Sequence, residues 1–508
     1  EGGANRTETV WLVKDGVAFW LGIGRLGRTK PNGGRPMARP NILLITTDQQ
    51  RCDTIGAYGS EHVRTPNIDR LCQESVVFDR AYVQNTVCIP SRACIQTGRY
   101  THQHGVRYME SEIDNTPGLP AHELTIMERL QAAGYATGAT GKIHMMPERG
   151  FDFQEIVGGK GSRWTQATGQ DIGPAPLGAQ YAAWLNDRRP GGYDEIYEQR
   201  RRPEYKRNRA SVENVLPLED YVETYILEKS MEFMEQERDE PFFLWCGFCG
   251  PHGPHDPPSS HAHLYPFDEI KLPASFAHDL SDRPPHLCRA PRELTPEREE
   301  AERIFMSYYY CLCTLIDDYV GKLVAFLGER GMLENTLILY TSDHGEMLGD
   351  FRSYGKGNFY EPVAHVPLIA RPPGGCDGRH VRSLMEVMDI APTVLDYAEI
   401  THPREMTAVS FRPILEGGEG GHEAVLSEYT TNNQSFSGKC LVTDRYKYIY
   451  WNTEHGGELY DLQEDPTELR NLYYDPAYTE VRDRHAELLL ERLMASEAGY
   501  NHGRSEHY

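Results

Sequence analysis

No apolar run in this chain approaches the roughly 20 residues that a bilayer-spanning helix needs. Basic residues are scarce relative to acidic ones. The 52 Lys and Arg stand against 75 Asp and Glu, a net charge of −23, which disfavours wrapping of nucleic acid or an anionic membrane by general electrostatics. The same balance sits awkwardly with an anionic substrate. A paired set of cysteines is also missing. Eleven are scattered along 508 residues, and an odd count in a long chain opposes a disulfide framework and favours a reducing compartment, the cytoplasm, with a periplasmic or secreted location left open. Cys246-Gly-Phe-Cys249 has CxxC spacing but lies in the apolar run FFLWCGFC. No second CxxC completes a zinc site, so these two are read as buried thiols. There is no internal repeat and no long low-complexity segment.

What is present reads as an α/β protein. Short apolar runs at Asn41–Thr47, Ala136–Thr140, Phe242–Phe248, Leu337–Thr341 and Pro367–Ala370 have the character of strands buried on both faces. Helical stretches separate them. Thr295-Pro296-Glu297 supplies an N-cap, a proline at the first helical position and an acid in the first turn, predicting a helix from there to about Gly331. Asp389–Tyr397 is a second helix candidate. The expected fold is a large, mainly parallel sheet flanked by helices, residues 37–419. A smaller α+β domain follows over residues 420–508. It holds a short antiparallel sheet, with Cys440–Val442 paired to Tyr446–Tyr450, and a last helix over about Thr479–Ser496. Residues 1–36 are read as an irregular extension and Met37 as the natural start. The apolar stretch Val17–Gly24 is short and has no small-residue cleavage site after it, so it is not read as a signal peptide. The extension carries six basic and three acidic residues, so without it the charge moves to −26. Residues 156–215 and 255–294 are candidate substrate-facing loops.

Four of these strands end in polar residues: Asp48-Gln49, Lys142 with His144, His252, and Asp343-His344. In parallel sheets ligands bind at the carboxyl ends of strands. One aspartate after a strand is ordinarily a helix cap, but four such endings on one edge point to a site. Asp48, Gln49, Asp343 and His344 together offer carboxylate, amide and imidazole donors for one divalent ion. The second constellation is Cys88-Ile-Pro-Ser-Arg92, followed by Thr97-Gly98-Arg99. Pro90 suits a first helical turn, which puts Cys88 at a helix N-terminus, where free N–H groups favour an anion.

At this point the chain resembles the sulfatases of the alkaline phosphatase superfamily, over about residues 38–475. C-x-P-S-R with T-G-R, the two metal pairs, Gly141-Lys142-x-His144, Pro251-His252-x-Pro254, Gly355-Lys356-Gly357 and the C-terminal Glu458-Leu-Tyr-Asp-Leu carry the likeness. The resemblance implies that Cys88 is converted to formylglycine by a formylglycine-generating enzyme acting transiently. It also implies that the aldehyde hydrate attacks sulfur with one hydroxyl and expels sulfate with the other. Cys88, Asp48, Gln49, Asp343 and His344 would surround the metal. Arg92 would hold the nucleophile and a carboxylate, Lys142 and Lys356 would bind ester oxygens, His144 would assist the hydrate, and His252 would serve the leaving oxygen. His255 is read as a supporting or loop residue. His102 and His104 are read as local structure, with substrate contact as the alternative.

One departure matters. Many sulfatases carry Asp-Asp and Asp-Asn where this chain has Asp48-Gln49 and Asp343-His344. The site is one charge less negative and includes an imidazole. Ca²⁺ remains the first expectation, with Mn²⁺ next and Mg²⁺ admissible. The same pairs resemble those of phosphonate monoester hydrolases, so a phosphonate or phosphodiester hydrolase is the alternative to a sulfuric ester hydrolase. A sulfoglycan-binding protein with unconverted Cys88 is the non-enzymatic alternative. The expected substrate is a small sulfated saccharide or aryl sulfate. Neither nucleic acid nor membrane is an expected partner, and a homo-oligomer is left open.

Overall fold

Alternating burial of one residue in each direction builds the centre of the molecule. The computed structural model describes residues 12–14, 17–19, 39–108, 118–145, 147–159, 178–284, 287, 294–431, 435–454 and 456–498. In β1 (Asn41–Asp48), Ile42 and Leu44 join one core cluster while Leu43 and Ile45 join another. That is the pattern of a strand covered on both faces. The same holds for β5 (Phe242–Pro251) and β6 (Thr336–Ser342).

The remaining strands of the large sheet are β2 (Val76–Tyr82), β3 (Ala136–Gly141), β4 (Phe153–Ile156), β7 (His365–Val366), β8 (Leu368–Arg371) and β9 (Arg379–Glu386). Their order is β9-β2-β8-β6-β1-β5-β3-β4, with β7 beside β2. The neighbours β6, β1, β5, β3 and β4 run parallel, whereas β8 is antiparallel to both β6 and β2. Helices α1 (Cys88–Thr97), α2 (Ile126–Ala132) and α5 (Ile390–Tyr397) pack on one face. Helices α3 (Val222–Glu235) and α4 (Pro296–Glu329) pack on the other. The Thr295 side chain caps α4 by accepting from the Arg298 N–H, at the position its sequence predicts.

The five expected strands are present, each within a few residues of its expected limits. Among the described residues, four others in the large sheet were not legible, the two-residue β7 included. β2 contains Asp79-Arg80, β9 reads RHVRSLME, and β4 is a four-residue edge. Strands at or near an edge have a wetter face and lack the continuous apolar run that marks central ones. The loop expectation for residues 156–215 is corrected in its second half, where Ala179–Arg188, Gly192–Arg200 and Pro203–Arg207 are helical. Tyr181, Leu185, Tyr193 and Ile196 from these helices join the core cluster beneath α3. Residues 160–177 of that stretch, residues 285–286 and 288–293 of the second loop, Met37 and most of residues 1–36 lie outside the described residues. From that extension only an antiparallel pair, Leu12–Lys14 with Val17–Phe19, is described.

Arg39–Tyr508 forms one compact unit. Within it a second sheet, β10 (Val425–Thr430), β11 (Ser437–Val442), β12 (Tyr446–Trp451) and β13 (Gly457–Asp461), is antiparallel throughout. Helix α6 (Thr479–Ala498) packs against it through Leu489. That cluster also takes in Cys94 of α1 and Tyr100, so the C-terminal elements brace the back of α1. Glu428 on β10 tightens the brace. Its buried carboxylate accepts from Thr101 Oγ1 at 2.6 Å and the His102 N–H at 3.1 Å, and pairs with Lys439 and with His102 Nδ1. Burial would raise its pKa, but Lys439 and then His102 hold it well below the ordinary 4.5. A depressed carboxylate contributes stability that is complete above its unfolded pKa and is lost as pH falls toward the folded one. Glu428→Gln is therefore expected to cost about 2 kcal/mol at pH 7, with the difference from the parent shrinking below about pH 4.5. Urea unfolding at both pH values checks this. A penalty independent of pH would show that shape, not charge, matters there.

No helix among the described residues is long and apolar enough to cross a membrane. The ten described cysteines are all free thiols.

Candidate active site

Four adjacent parallel strands deliver their C-terminal residues to one place. β1 ends at Asp48 and passes into Gln49, β6 leads to Asp343 and His344, β3 to Lys142 and His144, and β5 to His252. Gln49 and His144 turn the chain with positive φ, 71° and 56°, a conformation uncommon outside glycine and concentrated at functional positions. β3 and β5 come close enough that a Cβ on Gly141 would strike the Gly247 carbonyl. The Lys142 N–H donates to that same oxygen at 2.7 Å, which seats Lys142 against the sheet.

Cys88 opens α1 and is buried. The turn before it is held by Asn85, whose Oδ1 accepts from the Val87 N–H at 2.9 Å. Lys356 Nζ lies 2.6 Å from Cys88 Sγ and 2.8 Å from His344 Nε2, and the sulfur is 3.3 Å from that same nitrogen. Asp48 Oδ1 lies 3.9 Å from the sulfur. One turn along α1, Arg92 is fully buried. Its Nε donates to Asp343 Oδ2 at 2.7 Å, its Nη1 donates to the Lys142 carbonyl, and its Nη2 lies 3.7 Å from Asp48 Oδ2. One guanidinium thus joins β1, β3 and β6 to the helix that carries Cys88. Lys142 Nζ pairs with Asp48 Oδ2.

His344 donates Nδ1–H to the Gly345 carbonyl at 2.8 Å, so its Nε2 lone pair faces inward. This is how ligand histidines are ordinarily oriented. Burial and Lys356 oppose charge on the ring, yet Asp343 and Cys88 raise its pKa, a preference for a cation at Nε2. His252 donates Nδ1–H to the Gly253 carbonyl at 2.6 Å, and Nε2 is its remaining, unprotonated nitrogen. Burial first, then Lys142 and Lys356, hold its pKa well below the ordinary 6.5. His144 is lowered by burial, Lys142 and Arg92. Burial would raise Asp48, but Lys142, His252, Lys356 and Arg92 keep it well below the carboxylate range. Burial and Asp48 push the Cys88 thiol up. Lys356, Lys142 and His344 outweigh them, and its pKa is lowered.

The donor set suits a divalent cation. Ligand atoms of Asp48, Cys88, Asp343 and His344 lie within 4.8 Å of one another. Gln49 adds a buried Oε1 with no hydrogen-bond partner, a lone pair that burial penalises unless a cation meets it. Gln49 N–H donates to Asp343 Oδ1 at 3.1 Å, locking the two metal pairs together.

The other singled-out residues lie elsewhere. The Cys246 thiol accepts from Ser230 Oγ and is pushed up to about 11 by burial, and Cys249 is buried in the core. His102 pairs with Glu428 and with Ser496 of α6. His104 meets the Cys94 thiol at 3.3 Å and is held at about 3 by burial. His255 packs edge-on against Phe305 at 4.3 Å. Two residues escaped the sequence reading. Glu346 receives the Gln49 side-chain amide. Arg51 donates to Asp350 Oδ2 at 2.6 Å and to the carbonyls of Glu346 and Met347, tying together the loops after β1 and β6. Their only sequence signal is nearness to the metal pairs.

Comparison with known proteins finds relatives along most of the chain. The family model described as Sulfatase matches residues 40–400, and one described as N-sulphoglucosamine sulphohydrolase, C-terminal, matches residues 349–495. An arylsulfatase of Clostridium perfringens is 30% identical, the match covering 92% of this chain and 96% of the relative. An N-acetylglucosamine-6-O-sulfatase of Bacteroides thetaiotaomicron is 25% identical over 89% of this chain and 86% of its own length. Among solved structures, the phosphonate monoester hydrolase of Agrobacterium radiobacter superposes with a TM-score of 0.73 at 24% identity, covering 90% of this chain and 96% of that one, a likeness of fold. The Sulfatase match runs from the first residues of β1 past Asp48, Cys88, Asp343 and Lys356, and this chain belongs to the sulfatase family.

Proposed function

We propose that the chain hydrolyses a small sulfate ester, a sulfated saccharide or an aryl sulfate, releasing inorganic sulfate from a pocket centred on residue 88. The observation that carries this reading is the convergence on Cys88 Sγ of Lys356, His344 and Asp48, with Lys142 and Arg92 directly behind. Conversion of Cys88 to formylglycine by a generating enzyme would replace the thiol with an aldehyde whose hydrate is an oxygen nucleophile. Asp48, Gln49, Asp343 and His344 would hold the divalent ion, Ca²⁺ first and Mn²⁺ next. When bound, the ion supplies positive charge that favours ionisation of the nucleophile and offsets charge on the ester oxygens.

The chain's own groups do the rest. Lys142 and Lys356 present ammonium charges to the ester's non-bridging oxygens. Arg92 holds Asp343 and Asp48 in register with α1. His144 sits beside Lys142 and takes a proton from the nucleophile. His252 enters neutral because burial, and then Lys142 and Lys356, depress it. The bound sulfate ester's negative charge offsets those two charges, so the imidazole takes up a proton from solvent and gives it to the leaving oxygen as the S–O bond breaks. His252→Asn is accordingly expected to lower kcat/KM by about 10²–10³-fold for an alkyl sulfate, and much less for nitrophenyl sulfate, whose leaving group needs no proton. Equal losses on both substrates would remove His252 from the proton-donor role.

The test of the whole reading is sulfate release from a panel of aryl sulfates and sulfated saccharides by protein whose residue-88 peptide carries the aldehyde mass. Full conversion with no turnover of any sulfate ester would overturn it. Gln49 and His344 favour one second reading, phosphonate ester hydrolysis. The ratio of kcat/KM for matched aryl sulfate and aryl phosphonate esters separates the two.

A further inference from the structure

An amide is an ambiguous metal donor. Its oxygen binds a cation and its NH₂ group does not, yet the two ends have nearly the same shape. Gln49 stands at this choice. It is buried, its backbone N–H is spent on Asp343 Oδ1, and its side-chain Oε1 has no hydrogen-bond partner. The end that is anchored is the NH₂ group, which donates to Glu346 Oε2. Glu346 is itself buried, and its other oxygen, Oε1, accepts from the Leu348 N–H at 3.2 Å and from the Gly355 N–H. Both Glu346 oxygens accept in this arrangement, Oε1 from two backbone N–H groups and Oε2 from Gln49, so the group facing Gln49 holds its NH₂ end. The residue after Gly355 is Lys356, whose Nζ contacts Cys88 and His344.

From this we infer that Glu346 is a positioning residue that decides which end of Gln49 faces the cation and, through Gly355, where Lys356 starts from. The inference rests on the reading of Gln49 as a metal donor. It reaches further, because it makes the amide usable at all. In a glutamine at position 346, Oε1 can keep the Leu348 and Gly355 bonds, but the end facing Gln49 becomes an NH₂ that needs an acceptor. Gln49 then turns its oxygen toward residue 346 and its NH₂ toward the cation. A glutamate at position 49 escapes the problem, since both of its ends are oxygen.

The experiment is a Mn²⁺ titration of the full chain after chelation, followed by the electron paramagnetic resonance signal of free Mn²⁺, with conversion of residue 88 matched across samples by mass spectrometry. Glu346→Gln is expected to weaken Mn²⁺ binding about 10–100-fold, the range for outer partners of metal ligands. Adding Gln49→Glu to that variant is expected to restore most of the loss, which a merely structural defect would not allow. Gln49→Leu tests the underlying reading by itself. If Gln49→Leu weakens binding while Glu346→Gln leaves it within about twofold of the parent, far below the range expected for such a partner, the positioning role is overturned and the donor reading stands. A loss in Glu346→Gln that Gln49→Glu does not restore also overturns it. If Gln49→Leu binds Mn²⁺ like the parent, the donor reading fails and this inference with it.

Discussion

Replacing Cys88 by alanine is expected to lower kcat for sulfate ester hydrolysis by about 10⁵-fold or more, the scale of removing a covalent nucleophile from a hydrolase. The reason is local. Lys356, His344 and Asp48 all converge on Cys88. Removing its side chain leaves these groups arranged around nothing that can attack sulfur. Serine makes a sharper probe than alanine. It offers one hydroxyl where an aldehyde hydrate offers two. Cys88→Ser is expected to take up the sulfuryl group and keep it, because release then needs water in place of the second hydroxyl. Intact-protein and peptide mass spectrometry after incubation with an aryl sulfate should find the adduct on residue 88 and nowhere else. Cys94, on the same helix, is the internal control. Burial holds its thiol well above the ordinary value, and it faces His104 and the C-terminal core. An alanine variant at position 88 that keeps more than about a hundredth of the parental rate would sink the nucleophile assignment.

The second large effect is on stability. Arg92→Met is expected to destabilise the chelated protein by about 3–5 kcal/mol, the cost of leaving buried charge without its partner. Arg92, Asp48 and Asp343 are all fully buried. Removing the guanidinium breaks its contact with Asp343 at 2.7 Å, its contact with Asp48 at 3.7 Å and its bond to the Lys142 carbonyl. Lys142 still pairs with Asp48, whereas Asp343 keeps His344 Nε2 at 3.5 Å, an ion pair only when that imidazole is protonated. Lysine at position 92 is expected to recover little. The three contacts come from three nitrogens of one planar group, which a single ammonium cannot reproduce. Urea unfolding with and without added Mn²⁺ separates the terms. The ion should return part of the loss, because it neutralises the same carboxylates. A change below about 1 kcal/mol in the chelated protein would mean that water reaches the carboxylates and that the ion pairs are not the joint between α1 and the sheet.

The net charge of −23 does not conflict with an anionic substrate once its distribution is seen. Arg92, Lys142 and Lys356 meet Asp48, Asp343 and Cys88 inside the protein, while the surplus of acids lies elsewhere. A small sulfate ester meets local cations, whereas a long polyanion would meet the surface.

Much of this protein is readable in order along the chain. The central strands are apolar because both faces are covered, and their polar ends mark where a parallel sheet keeps its ligands. That reasoning reaches Asp48, Gln49, Lys142, His252, Asp343 and His344. The length and spacing of C-x-P-S-R with T-G-R reach Cys88 and Arg92. The reading fails at the edges, where β2, β4 and β9 carry charge or are short. It also fails at residues 179–207, where helices built from Tyr, Arg and Glu bury only part of one face.

The amino-acid sequence by itself determined the family chemistry and its donors, because those depend on residue type and local order. The tertiary structure alone decided that Lys356, 268 residues beyond Cys88, lies on its sulfur. It also decided that α6 braces the catalytic helix from behind, and that Glu346 holds the NH₂ end of Gln49. Each of these is a contact between segments distant in the chain, with a direction in space. Hydrogen-bond geometry fixes which end of a group faces which neighbour, and no spacing along the chain encodes that.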